Sequence, residues 1–394
     1  MLKDRIPSIQ QALRDARLDG WLFCCFQQND PVSLELLGLA GDHLITRRCY
    51  YLIPANGEPR KLAHRLEPTM LDHLPGRTSF YLRWAELDAG LAELIGRDRH
   101  LAAQYSPKNT LPTISRLDAG TAELLRGFGV ELTSSAELVQ AFAAVWTPQQ
   151  LESHRRASVH LHRIVLAAFD QAAEALRRDG NSDEHTIQQF ILEQFERNDL
   201  WTESPPIVGV NANSADPHYQ PSVDRSTPIR PGDFLLIDLW AKEKPAESIY
   251  ADITWCGVCA AAASDRQAEL FGVAVAARDA GWDLVRRRYP DRVVRGFEVD
   301  DATRGVIDQA GFGDFFIHRT GHSIGIQDHG QGANMDNLET HDERRLVAMT
   351  GFSIEPGIYL TGEFGVRTEI NVALTPEGAE ITGAEPQREL LRLL

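Results

Sequence analysis

The chain has 394 residues, 43% hydrophobic and 24% charged, an ordinary make-up for a folded protein of two or three domains at roughly 100–200 residues each. Its 40 basic and 56 acidic side chains leave a formal charge of −16, a field that repels phosphate backbones and anionic lipid and argues against binding to nucleic acid or membrane surfaces. No stretch reaches the roughly 18 uninterrupted apolar residues of a membrane span, and the start Met1-Leu2-Lys3-Asp4-Arg5 lacks the apolar core of a signal peptide, so a cytoplasmic protein is expected.

In the N-terminal part, apolar runs alternate with helical patterns. The pattern predicts a helix over 7–18, then strands at Gly20 to Phe26 (GWLFCCF), Cys49 to Ile53 (CYYLI) and Leu101 to Gln104. Helices over 113–127 and 135–144 follow. The histidines here (His43, His64, His73, His100) are scattered and make no catalytic pattern. Residues 1–146 therefore read as an α/β accessory or dimerisation domain.

Thr147-Pro148-Gln149-Gln150 joins a capping hydroxyl, a proline at the first helical position and a glutamine three residues after the cap. A long helix runs from there to about Arg178 and stops at Gly180. A helix over 183–197 carries Ile187, Phe190, Ile191 and Phe195 on one face. Strand-like runs at 234–239 and 249–259 come next. A helix opened by Ser264 and Gln267 ends near Tyr289-Pro290, and another spans Asp300 to Ala310 before Gly311. Runs at 352–354 and 364–374 complete an α+β domain over 147–394.

Five residues of this second domain stand in unusually apolar company: Asp238, Asp252, His322, Glu355 and Glu369. A carboxylate inside a strand pattern must be paired, protonated or metal-bound, because burying a lone charge is costly. Few lysines or arginines are near in sequence. Four carboxylates and one imidazole make a hard donor set suited to two divalent ions such as Mn²⁺, Co²⁺ or Zn²⁺. No thiol belongs to the set. The five cysteines (Cys24, Cys25, Cys49, Cys256, Cys259) read as reduced, buried thiols. Cys256 and Cys259 spell C-x-x-C, but positions three apart on a strand face opposite sides.

The order Asp, Asp, His, Glu, Glu, embedded in LLIDLW, YADITW, GHSIGIQDHG, SIEPGIY and GVRTEI, resembles the pita-bread metallopeptidase family of methionine aminopeptidase, aminopeptidase P and Xaa-Pro dipeptidase (prolidase). The resemblance covers residues from about 150 to 394, and the N-terminal part looks like the creatinase/prolidase-type N-domain. It implies an α+β, C-terminal pita-bread domain in which Asp238 and Glu369 contact one metal and His322 and Glu355 the other, with Asp252 and Glu369 bridging. By the same resemblance His218 and His329 are active-site histidines outside the metal shell, His318 lines a proline pocket, and Arg367 organises the glutamate region and contacts substrate. Tyr359 is a weaker supporting candidate.

The implied reaction is hydrolysis of the Xaa-Pro imide bond in dipeptides by a two-metal-activated hydroxide, manganese being the expected ion, with Glu355 as proton shuttle. A homodimer is also implied. Aminopeptidase P activity on longer peptides and a non-catalytic binding module are the alternatives. Three departures stand out. The aspartates are 14 residues apart, more than is usual in the family, which predicts a longer hairpin tip over Lys242 to Ser248; Trp240 also replaces a glycine. In prolidases an arginine beyond the second histidine holds the product-side carboxylate; here Gly-Gln-Gly-Ala-Asn follows His329, leaving Arg319, Arg344 or Arg345 to substitute.

Overall fold

Trp21-Leu22-Phe23-Cys24-Cys25 is apolar at every position because both faces of its strand are covered. In a computed structural model, which describes residues 2–41 and 45–394, Trp21, Phe23 and Cys25 join Tyr51 and Ile53 in one core. Leu22 joins Tyr50, Leu52, Leu87 and Leu91 in another. His43 lies outside the described residues.

The described chain divides into two units, Met1–Ala143 and Ala144–Leu394. In the first, six strands are ordered Arg77–Tyr81, Arg60–His64, Cys49–Pro54, Gly20–Cys25, His100–Ala103 and Glu131–Ser134. The sheet is mixed: Gly20–Cys25 runs antiparallel to Cys49–Pro54 and parallel to His100–Ala103. The three strands that the apolar pattern did not signal, RKLAH, RTSFY and ELTS, are short and rich in polar residues.

Helix boundaries shift for local reasons. The first helix is Leu2–Asp15, with Pro7 inside it instead of at its start. The helix expected from 113 begins at Ala119, because the Asp118 carboxylate accepts the Thr121 N–H at 2.9 Å and caps it there. The 135–144 segment is helical over Ala136–Val139 and continues as a π turn, Gln140–Ala144.

The second unit is built on the long helix Pro148–Asp179, capped by reciprocal bonds between Thr147 and Gln150 and closed by Gly180 at φ 74°. Against it lies an antiparallel hairpin of Phe234–Glu243 and Ala251–Val258, in register Asp238↔Thr254 and Trp240↔Asp252. The period of two sorts the side chains. Leu235, Ile237, Leu239, Ala251, Ile253 and Trp255 pack with the long helix. The other parity holds Phe234, Leu236, Cys256 and Val258, which pack with Leu270, Phe271 and Ala274 of the helix Asp265–Arg288. Asp238, Asp252 and Thr254 share that second parity, so the acids face away from the long helix. Cys256 and Cys259 fall in different cores as free thiols.

The hairpin tip is smaller than expected. The strand continues to Glu243 and pairs with Leu200–Trp201, and both Lys242 and Ser248 are buried. The Lys242 ammonium escapes isolation by donating to the carbonyls of Ile326, at 2.8 Å, and Ala246, at 3.0 Å. Only 244–247 are exposed.

The 364–374 run also divides. Phe364–Arg367 pairs with Gly357–Leu360, whereas Ile370–Thr375 joins a four-stranded sheet with Ser323–Ile324, Thr350–Ile354 and Gly378–Ile381. Thr368 and Glu369 form the step between them.

Candidate metal centre

The hairpin brings Asp238 and Asp252 to one face, and the step after Arg367 delivers Glu369 opposite them. Thr254 ties the group together: its Oγ1 lies 2.9 Å from Asp238 Oδ1 and 2.8 Å from Glu369 Oε2. The Glu369 amide donates to the Thr254 carbonyl at 3.3 Å. Asn371 fixes the Asp252 backbone, accepting its N–H at 2.9 Å and donating to its carbonyl at 2.5 Å. Asp238, Asp252 and Glu369 are all buried.

His322 enters from the loop before Ser323–Ile324. Gly321 allows this approach, since a Cβ there would stand 2.0 Å from the Ser353 carbonyl oxygen. The His322 amide donates to Ser353 Oγ at 3.0 Å, and that hydroxyl donates to Glu355 Oε1 at 2.9 Å. Imidazole Nδ1 donates to the Ser323 carbonyl at 3.1 Å, which leaves Nε2 as the lone-pair nitrogen. That nitrogen is 3.4 Å from both Asp252 Oδ2 and Glu355 Oε1. The five residues expected to ligate metal thus stand together.

The other expected residues surround this group. Arg367 is buried, ion-paired to Asp238 Oδ2, and donates to Thr254 Oγ1 at 2.9 Å and to the Tyr359 hydroxyl at 3.4 Å. Its guanidinium is turned into the acid cluster, where it orients Asp238 and Thr254. His318 Nε2 meets the Tyr359 hydroxyl at 2.8 Å. The loop carrying His318 is held by Arg304, which donates to the His318 carbonyl at 2.8 Å and pairs with buried Asp300. His329 lies with its ring 4.2 Å from that of His322 and its side chain 65% exposed. His218 is exposed and close enough to be felt electrostatically at His329.

Burial, followed by the charges of neighbouring acids, pushes the carboxyls of Asp252 and Glu369 well above the usual range. Burial also raises Asp238, with Arg367 opposing. His322 is held below free imidazole by burial, so it is neutral, as a metal ligand must be. Asp252 Oδ1 and Glu369 Oε1 are buried without a hydrogen-bond partner, and ligand atoms of Asp252, His322 and Glu369 lie within 4.8 Å of one another. Orphaned carboxylate oxygens converging on a lone-pair nitrogen fit divalent cations, whose charge would relieve the repulsion.

Sequence reasoning missed Asp328. It is buried, its Oδ1 lacks a partner, and with His322 and His329 it forms a second group whose ligand atoms lie within 4.8 Å of one another. The signal was its place one residue before a site histidine. The Arg367–Asp238 pair, 129 residues apart in the chain, had no local signal.

The sequence profile of metallopeptidase family M24 matches residues 157–376. The Xaa-Pro dipeptidase of Lactobacillus delbrueckii subsp. lactis is 30% identical over 212 residues, 54% of this chain and 53% of that protein. The probable dipeptidase PepE of Mycobacterium bovis is 34% identical over 173 residues, 44% of this chain and 42% of that protein. These alignments span about half the length of the curated relatives. The crystal structure of dipeptidase PepE from Mycobacterium ulcerans superposes with a TM-score of 0.71 at 24% identity, covering 100% of this chain and 98% of that one. The shared architecture therefore extends through both units.

Proposed function

Given that the chain belongs to metallopeptidase family M24, we propose that it hydrolyses the Xaa-Pro bond of dipeptides, using two divalent cations, manganese foremost, held by Asp238, Asp252, His322, Glu355 and Glu369. The observation that carries this reading is the pair of orphaned carboxylate oxygens on Asp252 and Glu369, buried beside the free Nε2 of His322.

Proline lacks an N–H and fixes φ, so enzymes that grip an extended backbone handle its imide poorly. A bound pair of divalent ions supplies a water that ionises near neutral pH and polarises the carbonyl to be attacked. Burial pushes the Glu355 carboxyl up, but the Arg367 guanidinium and the hydrogen bond from Ser353 act against it, and the carboxyl stays low. As a carboxylate oriented by Ser353, it can take a proton from water and pass it to the departing proline nitrogen. We assign His218 and His329, both exposed, to the substrate carbonyl. His318, fixed by Tyr359, forms the wall against the pyrrolidine ring.

A dipeptide also presents a carboxylate. Arg344 is committed to Asp342. Arg319 brings its Nη2 to 3.5 Å from His329 Nδ1, and we assign it to that carboxylate. Among the described residues no helix is long and apolar enough to cross a membrane; a cytoplasmic homodimer is our expectation.

The test is metal analysis beside an Ala-Pro hydrolysis assay after manganese loading, with Xaa-Pro tripeptides in parallel. Bound metal with Ala-Pro cleavage is expected. Equal cleavage of tripeptides would replace this reading with an aminopeptidase P-type activity. Absence of both metal uptake and hydrolysis would leave a binding module.

A further inference from the structure

Asp328 has no part in the reaction outlined above, yet it is 8% exposed and aimed at the site. Its Oδ2 is 3.9 Å from His329 Nε2, and its Oδ1 has no partner. A buried acceptor with no donor is a costly arrangement unless a ligand completes it.

The surroundings indicate what that ligand carries. The charges felt at Asp328 are chiefly acidic, from Asp238, Glu355 and exposed Glu203, with Arg319 as the opposing cation. The Glu203 amide donates to the Tyr250 hydroxyl at 3.1 Å, and Tyr250 packs against the half-exposed Trp201 with ring centroids 6.2 Å apart. Lys242 stands 5.4 Å from each of these two rings, its ammonium held by the Ala246 and Ile326 carbonyls. This side of His322 therefore offers a carboxylate floor and, at the edge, a second carboxylate near the half-exposed Trp201 ring, with Tyr250 fully buried behind. His318 and Tyr359, assigned to the proline ring, form a separate hydrogen-bonded pair.

We propose that Asp328, with Glu203 beside it, is a specificity determinant for the residue before proline and selects a cationic side chain. Lys-Pro and Arg-Pro are then the preferred dipeptides: the charged head completes the orphaned oxygen, and the aliphatic stem runs toward the exposed ring of Trp201. The inference rests on the dipeptidase reading and refines it.

The test compares kcat/KM for Arg-Pro and Leu-Pro in wild type, Asp328→Asn and Asp328→Val, each manganese-loaded and assayed for metal content. The Arg-Pro to Leu-Pro ratio should exceed one in wild type and fall at least tenfold in Asp328→Val. Metal content should be unchanged in Asp328→Asn. Equal loss on both substrates would assign Asp328 to the amino terminus common to every substrate, and loss of metal would make it a ligand; either result overturns the proposal. If wild type cleaves no dipeptide, the dipeptidase reading fails instead. Calorimetry with free L-arginine and L-leucine then decides the pocket: tighter arginine binding that vanishes in Asp328→Val sustains it, and equal binding ends it.

Discussion

The strands Gly20–Cys25 and Phe234–Glu243 read almost alike, as unbroken apolar runs at their starts, yet they do different work. In the first, each parity of side chain enters its own hydrocarbon core. In the second, one parity does the same against the long helix while the other is interrupted by Asp238, with Asp252 and Thr254 beside it on the partner strand. Both sheets bury both faces. An acid survives in the second only where another group answers its charge: Arg367 does so for Asp238, and cations do so for the orphaned oxygens of Asp252 and Glu369 in the function proposed above. A chemically active strand is therefore marked by a broken parity and not by lower hydrophobicity.

The sharpest way to break this contrast is at the acids. Glu355→Gln should retain metal better than Asp252→Asn while losing about 10²–10⁴-fold in turnover, the usual worth of a positioned acid–base group. Metal analysis and Ala-Pro kinetics on both variants check this, and equal metal loss would remove the proton-shuttle role. The converse holds in the apolar strands. Leu52→Ala, at a fully buried position, should cost about 2–5 kcal/mol of stability by urea unfolding with metal stoichiometry unchanged; a loss of bound metal would show that the two regions are not independent.

A smaller effect tests burial of a neutral polar group behind the hairpin. His154 is fully buried between the Tyr250 carbonyl, at 2.6 Å, and Thr382 Oγ1, at 2.8 Å, and burial lowers its pKa to about 4. The unfolded imidazole takes its proton near pH 6.5. Its contribution is therefore complete above about pH 6.5 and declines as pH falls toward 4. By pH 5.5 the loss should be about 1.4 kcal/mol relative to pH 8. Urea midpoints of metal-free wild type and His154→Gln check it: a parallel decline in both would assign the pH dependence elsewhere.

Much of this was legible in the residues alone. The Thr147–Gln150 box, Gly180 and the apolar period located the long helix, and the five acid and imidazole positions announced themselves by interrupting apolar runs. What escaped was non-local or disguised. Arg367 and Asp238 meet only after folding, so no window contains both. Lys242 sat in a Lys-Glu-Lys-Pro run that reads as a solvated tip, and only carbonyls from elsewhere permit its burial. Asp328 looked like an ordinary loop acid because its isolation is a property of the folded cavity. The 364–374 run hid a break, since Thr368 and Glu369 differ from strand residues only in where their amides bond.

Gly321 bears on how this centre can change over time. The residue that aims the imidazole has no side chain, and the Ser353 carbonyl occupies the space one would need. Even a single methyl would lever the ring away from its neighbours, so drift at this position has no small step open to it. The least forgiving point in the pocket is the atom that is not there.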